Sequence, residues 1–488
     1  MYSQKDNQGS FFDEYVYPLV PQDHILLKVS RLVDFSFVEE ETKDLYSQDF
    51  GRPAYPAEVL FRMLFLEYYY NLSDVEVSKQ CQYNLLYRYF VGLKLDSPTP
   101  DDTSLVVFRR RLGPERFERL FDQIVTQARE KGLLKEKLKV VDASKLIADV
   151  AIPNTVNLIR GGRRKILKQL HRINPRRAKR LSRRYGSKER LFGKPTEEDL
   201  AQELQITKEF LAEVKRRYGK KQILSEEIQA LEGIIEGSKV DRIVSFADLD
   251  ARFGKTSLKE KGGFCGYKAH IAEDESEIIT SVDLIKGNQS EGVQLKGLLE
   301  KEGRKHIRSK AVVADGKYDS GDNYQLIRSR KMRPYITFAS RGRRRWKGFK
   351  YDKAGDCIRC PEEKESIGKI PQEDGFLYYF STADCKPCTR LRVCLKPGEE
   401  RARVFVKADY LFTGSEARIR KKALRLRKMI ERKFGEAKRW HGMSRARYRR
   451  LWRVKIQVLM TFLVINAKRM ARLLEERAAQ PELRAAPT

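Results

Sequence analysis

Lys137-Leu-Lys-Val-Val-Asp142-Ala-Ser-Lys-Leu-Ile147 is the stretch on which the fold turns. Its apolar, partly β-branched run closes on an acid, the pattern of a buried strand that presents a carboxylate at its end. Asp142 alone says little about chemistry, because acids at strand ends commonly form turns. The pattern recurs at Lys310-Ala-Val-Val-Ala-Asp315-Gly-Lys-Tyr-Asp-Ser320, again an apolar strand that reaches an aspartate. Between the two, alternating runs from Gly266 to Asp274 and from Glu277 to Lys286 flank the turn residues Glu275 and Ser276, which predicts a hairpin. Helical spacing follows from Glu291 to Leu299 and from Tyr324 to Lys331, with a further strand at Arg333 to Phe338. This β-β-α-β-α-β progression, with the Asp142 strand in front, predicts the α/β class: a mixed sheet covered by helices.

A third acid lies far downstream. Arg425-Leu-Arg-Lys-Met-Ile-Glu-Arg-Lys-Phe-Gly-Glu-Ala-Lys438 contains no proline, and Ala423, Leu426, Ile430, Phe434 and Ala437 form one apolar stripe of a helix. At 3.6 residues per turn, Arg427, Glu431 and Lys438 fall within about 40° of one another, on the edge of that stripe. Glu431 is then either a surface acid making i,i+4 pairs with basic neighbours or a carboxylate whose charge a divalent metal needs.

With 99 Lys and Arg against 67 Asp and Glu, the chain carries a net charge of +32, so a polyanion is its natural partner. Nucleic acid is favoured over membrane, since the most apolar run, Val458 to Ile465, is too short to span a bilayer. Met1 to Phe12 has no apolar signal-peptide core, which predicts a cytoplasmic chain. Between Thr155 and Arg190 there are fourteen Lys or Arg, among them Arg163, Arg164, Arg176 and Arg177, and one acid, Glu189. Either these line a phosphate backbone or they form a solvated charge run. Pro56 to Lys131 is helical, with Ser73 and Glu76 spaced as a capping box, and it holds the basic run Phe108-Arg-Arg-Arg-Leu-Gly113. Arg109 and Arg110 are candidates for DNA contact in a helix-turn-helix type of module; a purely structural helical domain is the alternative.

Five of the seven cysteines lie between Cys357 and Cys394, which in a reducing compartment suggests metal rather than disulfides. Cys357-x2-Cys360 and Cys385-x2-Cys388 can close a tetrahedral thiolate site for Zn²⁺, with Cys394 surplus; unbound thiols are the other reading. The five histidines show no pairing with any cysteine, which argues against a catalytic thiol.

Two strand-end aspartates and a helix glutamate in a basic protein are what two-metal phosphoryl transfer requires, since Mg²⁺ takes oxygen ligands and keeps waters. In this arrangement the chain resembles the DDE transposases of bacterial insertion sequences. Asp142 in VVDAS, Asp315 in VVADGKYDS and Glu431 in RKMIERKFGEAK match that family's triad. Its last motif, Tyr-x2-Arg-x3-Glu-x6-Lys, is met by Arg427, Glu431 and Lys438, with Leu424 at the tyrosine position. Residues 245–255 (SFADLDARFGK) with GYKAHIAEDESEIITSVDLIKGNQ, and residues 51–80 in the helical N-terminal region, resemble the same family.

The resemblance implies an RNase H-like core. It implies two Mg²⁺ (or Mn²⁺) per active site held by Asp142, Asp315 and Glu431, and phosphates held by Arg427 and Lys438. It also implies double-stranded DNA as partner, both terminal inverted repeats and target, a homodimer or larger assembly on that DNA, and action in the bacterial cytoplasm at the nucleoid. The expected organisation is a helical DNA-binding domain at 1–131, a catalytic core at 132–154 and 240–345, and a basic helical insertion at 155–239. A Cys-rich insertion at 346–400, the rest of the core at 401–475 and a disordered tail at 476–488 complete it. An RNase H-fold nuclease or resolvase that cuts without joining, and a domesticated, non-catalytic DNA-binding protein, are the competing readings.

Overall fold

The computed structural model describes residues 11–47, 50–51, 53–186, 191–237, 243–255, 263–337, 348–352, 355–372, 375–395, 399–407 and 414–479. Phe338, Glu189 and Arg190, which figure in the sequence reading, lie outside the described residues.

The N-terminal region is helical. Helix α1 (Ala57–Tyr70) is apolar around most of its circumference and is buried over nearly its whole length, as a helix without a polar face must be. Ser73 and Glu76 do form the reciprocal capping box of the next helix, Asp74–Tyr83. Helix α2 (Asp102–Glu130) carries the basic run and kinks at Gly113. Gly113 takes φ 67° and ψ 172°, open to a residue without Cβ, and Pro114 restarts the helix where its missing N–H costs nothing.

The sheet follows. Strands β1 (Leu138–Ile147), β2 (Phe264–Asp274), β3 (Ile279–Lys286), β4 (Ala311–Ala314) and β5 (Arg333–Ile336) lie in the order β3-β2-β1-β4-β5. The first three form an antiparallel meander, and β4 and β5 run parallel to β1. This is the mixed sheet expected of an RNase H-like core. The aspartate of β1 is not at its end, however. Pairing with β4 stops at Val141↔Ala314, whereas pairing with β2 continues from Lys139↔Asp274 to Ile147↔Gly266, so the strand runs on past Asp142.

Between β1 and β2, helices α3 (Thr155–Ile173), α4 (Pro175–Tyr185), α5 (Glu197–Tyr218) and α6 (Gln222–Ile235) pack around a core of their own, including Ile159, Ile166, Leu170, Phe210, Val214 and Leu231. Gly162 lets α3 approach closely: a Cβ there would sit 2.5 Å from the Phe246 ring and 2.8 Å from Leu231. Helices α7 (Leu295–Arg304) and α8 (Gly321–Ser329) make the crossovers that parallel strands need and cover one sheet face. Helices α9 (Arg427–Trp440) and α10 (Leu451–Ala478) lie on the other. Strand β4 is buried on both faces, which is why Ala-Val-Val-Ala shows no polar alternation.

The 425–438 stretch is not one helix: Arg425 closes a helix begun at Gly414, Leu426 intervenes, and α9 starts at Arg427. Helix α10 extends to Ala478, into the tail expected to be disordered, and residues 480–488 lie outside the described ones. It packs against α1, α2 and β3, so a single hydrophobic cluster joins the N-terminal helices to the sheet, from Leu26 through Phe65 and Ile124 to Tyr267 and Phe462. The buried Asn466 amide bonds both the N–H and the C=O of Ile279, beside the register shift between β2 and β3. Among the described residues no helix is long and apolar enough to cross a membrane.

Candidate active site

Because side chains alternate along a strand, Asp142 shares a face with Val140, the face that α9 and α10 cover. Asp315 directly follows Ala314 in extended backbone, on that same face. Neighbouring strands lie about 4.8 Å apart, so the register carries the two aspartates out side by side, one step past the Val141↔Ala314 pair. The Asp142 carboxylate accepts from the Ala143 N–H at 2.8 Å, and the Arg427 guanidinium stands 3.7 Å away. Burial pushes the Asp142 pKa up to about 6, and Asp315 and Glu291 add to the rise, while the Ala143 N–H and Arg427 oppose it. Asp315 accepts from the Lys317 N–H at 2.9 Å and caps the turn that follows β4. Two adjacent carboxylates, one of them holding its proton unusually tightly, suit a hard divalent cation that would relieve their mutual repulsion.

Helix α9 packs across β1. Its apolar stripe of Ile430, Phe434 and Ala437 is buried, as the spacing predicts, and it sets Arg427 against Asp142. Glu431 is exposed, one turn beyond Arg427 on the same side of the helix, and makes no hydrogen bond or ion pair among the described residues. The i,i+4 pairing that would make it an ordinary surface acid is therefore not formed. Lys438 is half-buried further along, its pKa lowered by burial and by Lys145 on β1. The structure thus brings Asp142, Asp315 and Arg427 together and leaves Glu431 at the solvent side of the Arg427 helix.

A second polar cluster, behind these acids, escaped the sequence reading. His270 pairs with Ala143, so it points to the opposite face from Asp142, where its Nδ1 lies 3.2 Å from the Tyr318 hydroxyl. Burial, Lys268 and Lys317 push the His270 pKa down to about 3, so the ring is neutral. Glu291, 4% exposed, holds Lys317 at 2.6 Å and Lys268 at 3.3 Å with one carboxylate oxygen, while the other is buried without a hydrogen bond among the described residues. In sequence Glu291 looked like an ordinary position near a helix start, and only its burial marks it.

The candidate DNA contacts divide. Arg109 is not a surface cation: it is 6% exposed and bridges Glu67 at 2.9 Å and Asp74 at 2.5 Å, under the Tyr448 ring. Arg163 is likewise buried, ion-paired to Glu203 and bonded to Thr207 and the Tyr185 carbonyl. Both readings are corrected for one reason, since a guanidinium that is buried and ion-paired inside the protein is not presented to an outside phosphate. Arg110, Arg164 and Arg176 are exposed, and Arg177 pairs with Glu213. Arg160, Arg164, Lys168, His171, Lys179 and Arg183 line an open groove of about 1040 Å³ between α3 and α4, with no acid in its lining among the described residues.

The cysteines also regroup. Cys357 lies beside Asp352 and Glu365, both of which pair with Arg359. Cys360, Cys385, Cys388 and Cys394 instead surround one small cavity. Cys394, surplus in the sequence reading, thus lines this cavity, whereas Cys357 does not.

Comparison with known families gives two matches. Residues 14–111 match a family model described as Transposase domain (DUF772), and residues 240–467 match one described as Transposase DDE domain. The second match takes in Asp315, Arg427, Glu431 and Lys438; Asp142 lies outside both and joins them through the β1–β4 register. DNA is the partner that such a family implies, and divalent metal ions are its general cofactor. Two transposase family models, matched over residues 14–111 and 240–467, lead to one conclusion: the chain belongs to the DDE-type insertion-sequence transposases.

Proposed function

We propose that this transposase binds the terminal inverted repeats of its element and, with Asp142, Asp315 and Glu431 holding two Mg²⁺ (or Mn²⁺), cuts the ends and joins them to target DNA. The observation that carries the reading is the side-by-side placement of Asp142 and Asp315 beneath the helix that bears Arg427 and Glu431. When bound, the two cations supply activation of the attacking oxygen and charge stabilisation at the leaving oxygen. The protein's part is positional. Asp142 and Asp315 offer anionic oxygens from the rigid sheet, and Glu431 offers a third carboxylate from the helix above. Arg427 and Lys438, on the same side of α9, hold the phosphates that flank the scissile bond in line for attack. The basic groove between α3 and α4 receives the phosphate backbone of the end DNA. Two ends must be handled together, so the active form is a homodimer or a larger assembly on DNA.

The test uses labelled end DNA with Mg²⁺ or Mn²⁺. Asp142→Asn, Asp315→Asn and Glu431→Gln each remove cleavage and leave end binding nearly unchanged; full activity in any one of them removes that residue from the site. Strand-transfer products on target DNA separate this reading from that of a nuclease that only cuts.

A further inference from the structure

The described residues between 348 and 407 form a small module, and among them the buried apolar residues are few: Ile358, Tyr378, Phe380, Ala402, Val404 and Val406. A core of that size does not hold a fold of short strands by itself; natural domains of this kind add a disulfide or a metal. Beside it lies a cavity of about 40 Å³ lined by four cysteines from separate turns: Cys360 after the strand Cys357–Arg359, Cys385 and Cys388 around a one-turn helix, and Cys394 at the end of another. Phe349, Phe380 and Leu395 wall the cavity.

We propose that Cys360, Cys385, Cys388 and Cys394 bind one structural Zn²⁺ that holds this module together. Four sulfur donors with no open position are the set that structural zinc prefers. Two ion pairs already tie the segments across the cavity mouth, Lys364 to Asp384 at 3.6 Å and Arg390 to Glu362 at 2.8 Å. The Ala402 N–H donates to Cys385 Sγ at 3.4 Å, the kind of bond that orients a metal-bound thiolate. Binding releases the four thiol protons and leaves the site with a net charge of −2, next to Lys364 and Arg390. Among the described residues no three of these sulfurs lie within 4.8 Å of one another, so the ion draws them inward as it binds. Cys357 stays out, since its neighbours Asp352 and Glu365 are taken by Arg359.

The test is metal analysis of the purified full-length chain, with Co²⁺ exchanged for the native metal as a spectroscopic probe. About one zinc per chain is expected, and the cobalt form shows the ligand-field and thiolate charge-transfer bands of a tetrahedral all-sulfur site. Cys394→Ser falls to near zero zinc, Cys357→Ser keeps its full complement, and Cys394→His, which retains a ligand, keeps zinc even if the serine variant folds poorly. Chelation of the wild-type chain exposes the 348–407 region to limited proteolysis. A metal-free wild type, an iron–sulfur spectrum, or loss of zinc in Cys357→Ser but not in Cys394→Ser overturns the proposal.

Discussion

Arg109 in α2 and Arg164 in α3 both belong to short arginine runs, and each stands next to a buried apolar stripe. Their surroundings differ. Around Arg109 the neighbouring helices supply Glu67 and Asp74, and the turn before α10 adds Arg447, which bonds Glu67 from the other side at 3.0 Å. The N-terminal cation is thereby engaged in joining α1, α2 and the C-terminal turn. Around Arg164 the described polar neighbours in the groove are mostly basic, and its charge remains exposed for an outside anion. In the insertion the same division recurs within two residues: Arg163 is enclosed by Glu203, while Arg164 faces the groove. A basic run therefore announces nucleic acid only where no carboxylate packs against it.

The comparison can be broken most directly at Arg109. Arg109→Ala leaves Glu67 and Asp74 short of a cation in a buried place and costs about 3–5 kcal/mol, read as a lower denaturant midpoint; an unchanged midpoint with weakened DNA binding would reverse the assignment. Next in size is the groove. Replacing Arg164, Lys168 and Arg183 together by alanine lowers affinity for end DNA and flattens the dependence of log Kd on log salt by about 0.9 for each phosphate no longer neutralised. Stability stays within about 0.5 kcal/mol. A stability loss without a change in slope would place these side chains in the insertion's packing.

The contrast between buried and exposed charge extends to the acids. Asp142 has its pKa raised from 3.8 to about 6, so its contribution to the stability of the metal-free fold is present below 3.8 and lost as pH rises through about 6. Metal needs the ionised form, so apparent Mn²⁺ affinity is level above that pH and falls about tenfold per unit below it. Isothermal titration across pH 5 to 8 measures this. A profile that is flat below pH 6 would detach the metal from Asp142. The smallest effect belongs to Arg110→Ala: exposed on α2, it changes stability by no more than about 0.5 kcal/mol, and the thermal midpoint checks it.

How much was legible follows from the range of each signal. The apolar runs before Asp142 and Asp315, the hairpin, the capping box at Ser73 and the stripe of α9 are local, and sequence spacing records them directly. The end of β1 was misplaced because the run that pairs with β4 does stop just before Asp142, at Val141, while the antiparallel partner that carries the strand to Ile147 is more than a hundred residues away. Arg109 and Arg163 were misread because their partners, Glu67 and Glu203, sit on other helices. Glu291 offered no motif, and which four of the five clustered cysteines share a cavity depends on how the turns fold over one another.

Composition, spacing and strand pattern by themselves determined that this is a basic α/β protein with two acids after apolar strand runs and one on a late helix, and the resemblance supplied their family order. Those properties are written residue by residue into hydrophobic period and charge. Only the tertiary structure decided which charges are satisfied internally and which stay available. That choice depends on desolvation and on partners far away in the chain, and neither is visible from the residue itself.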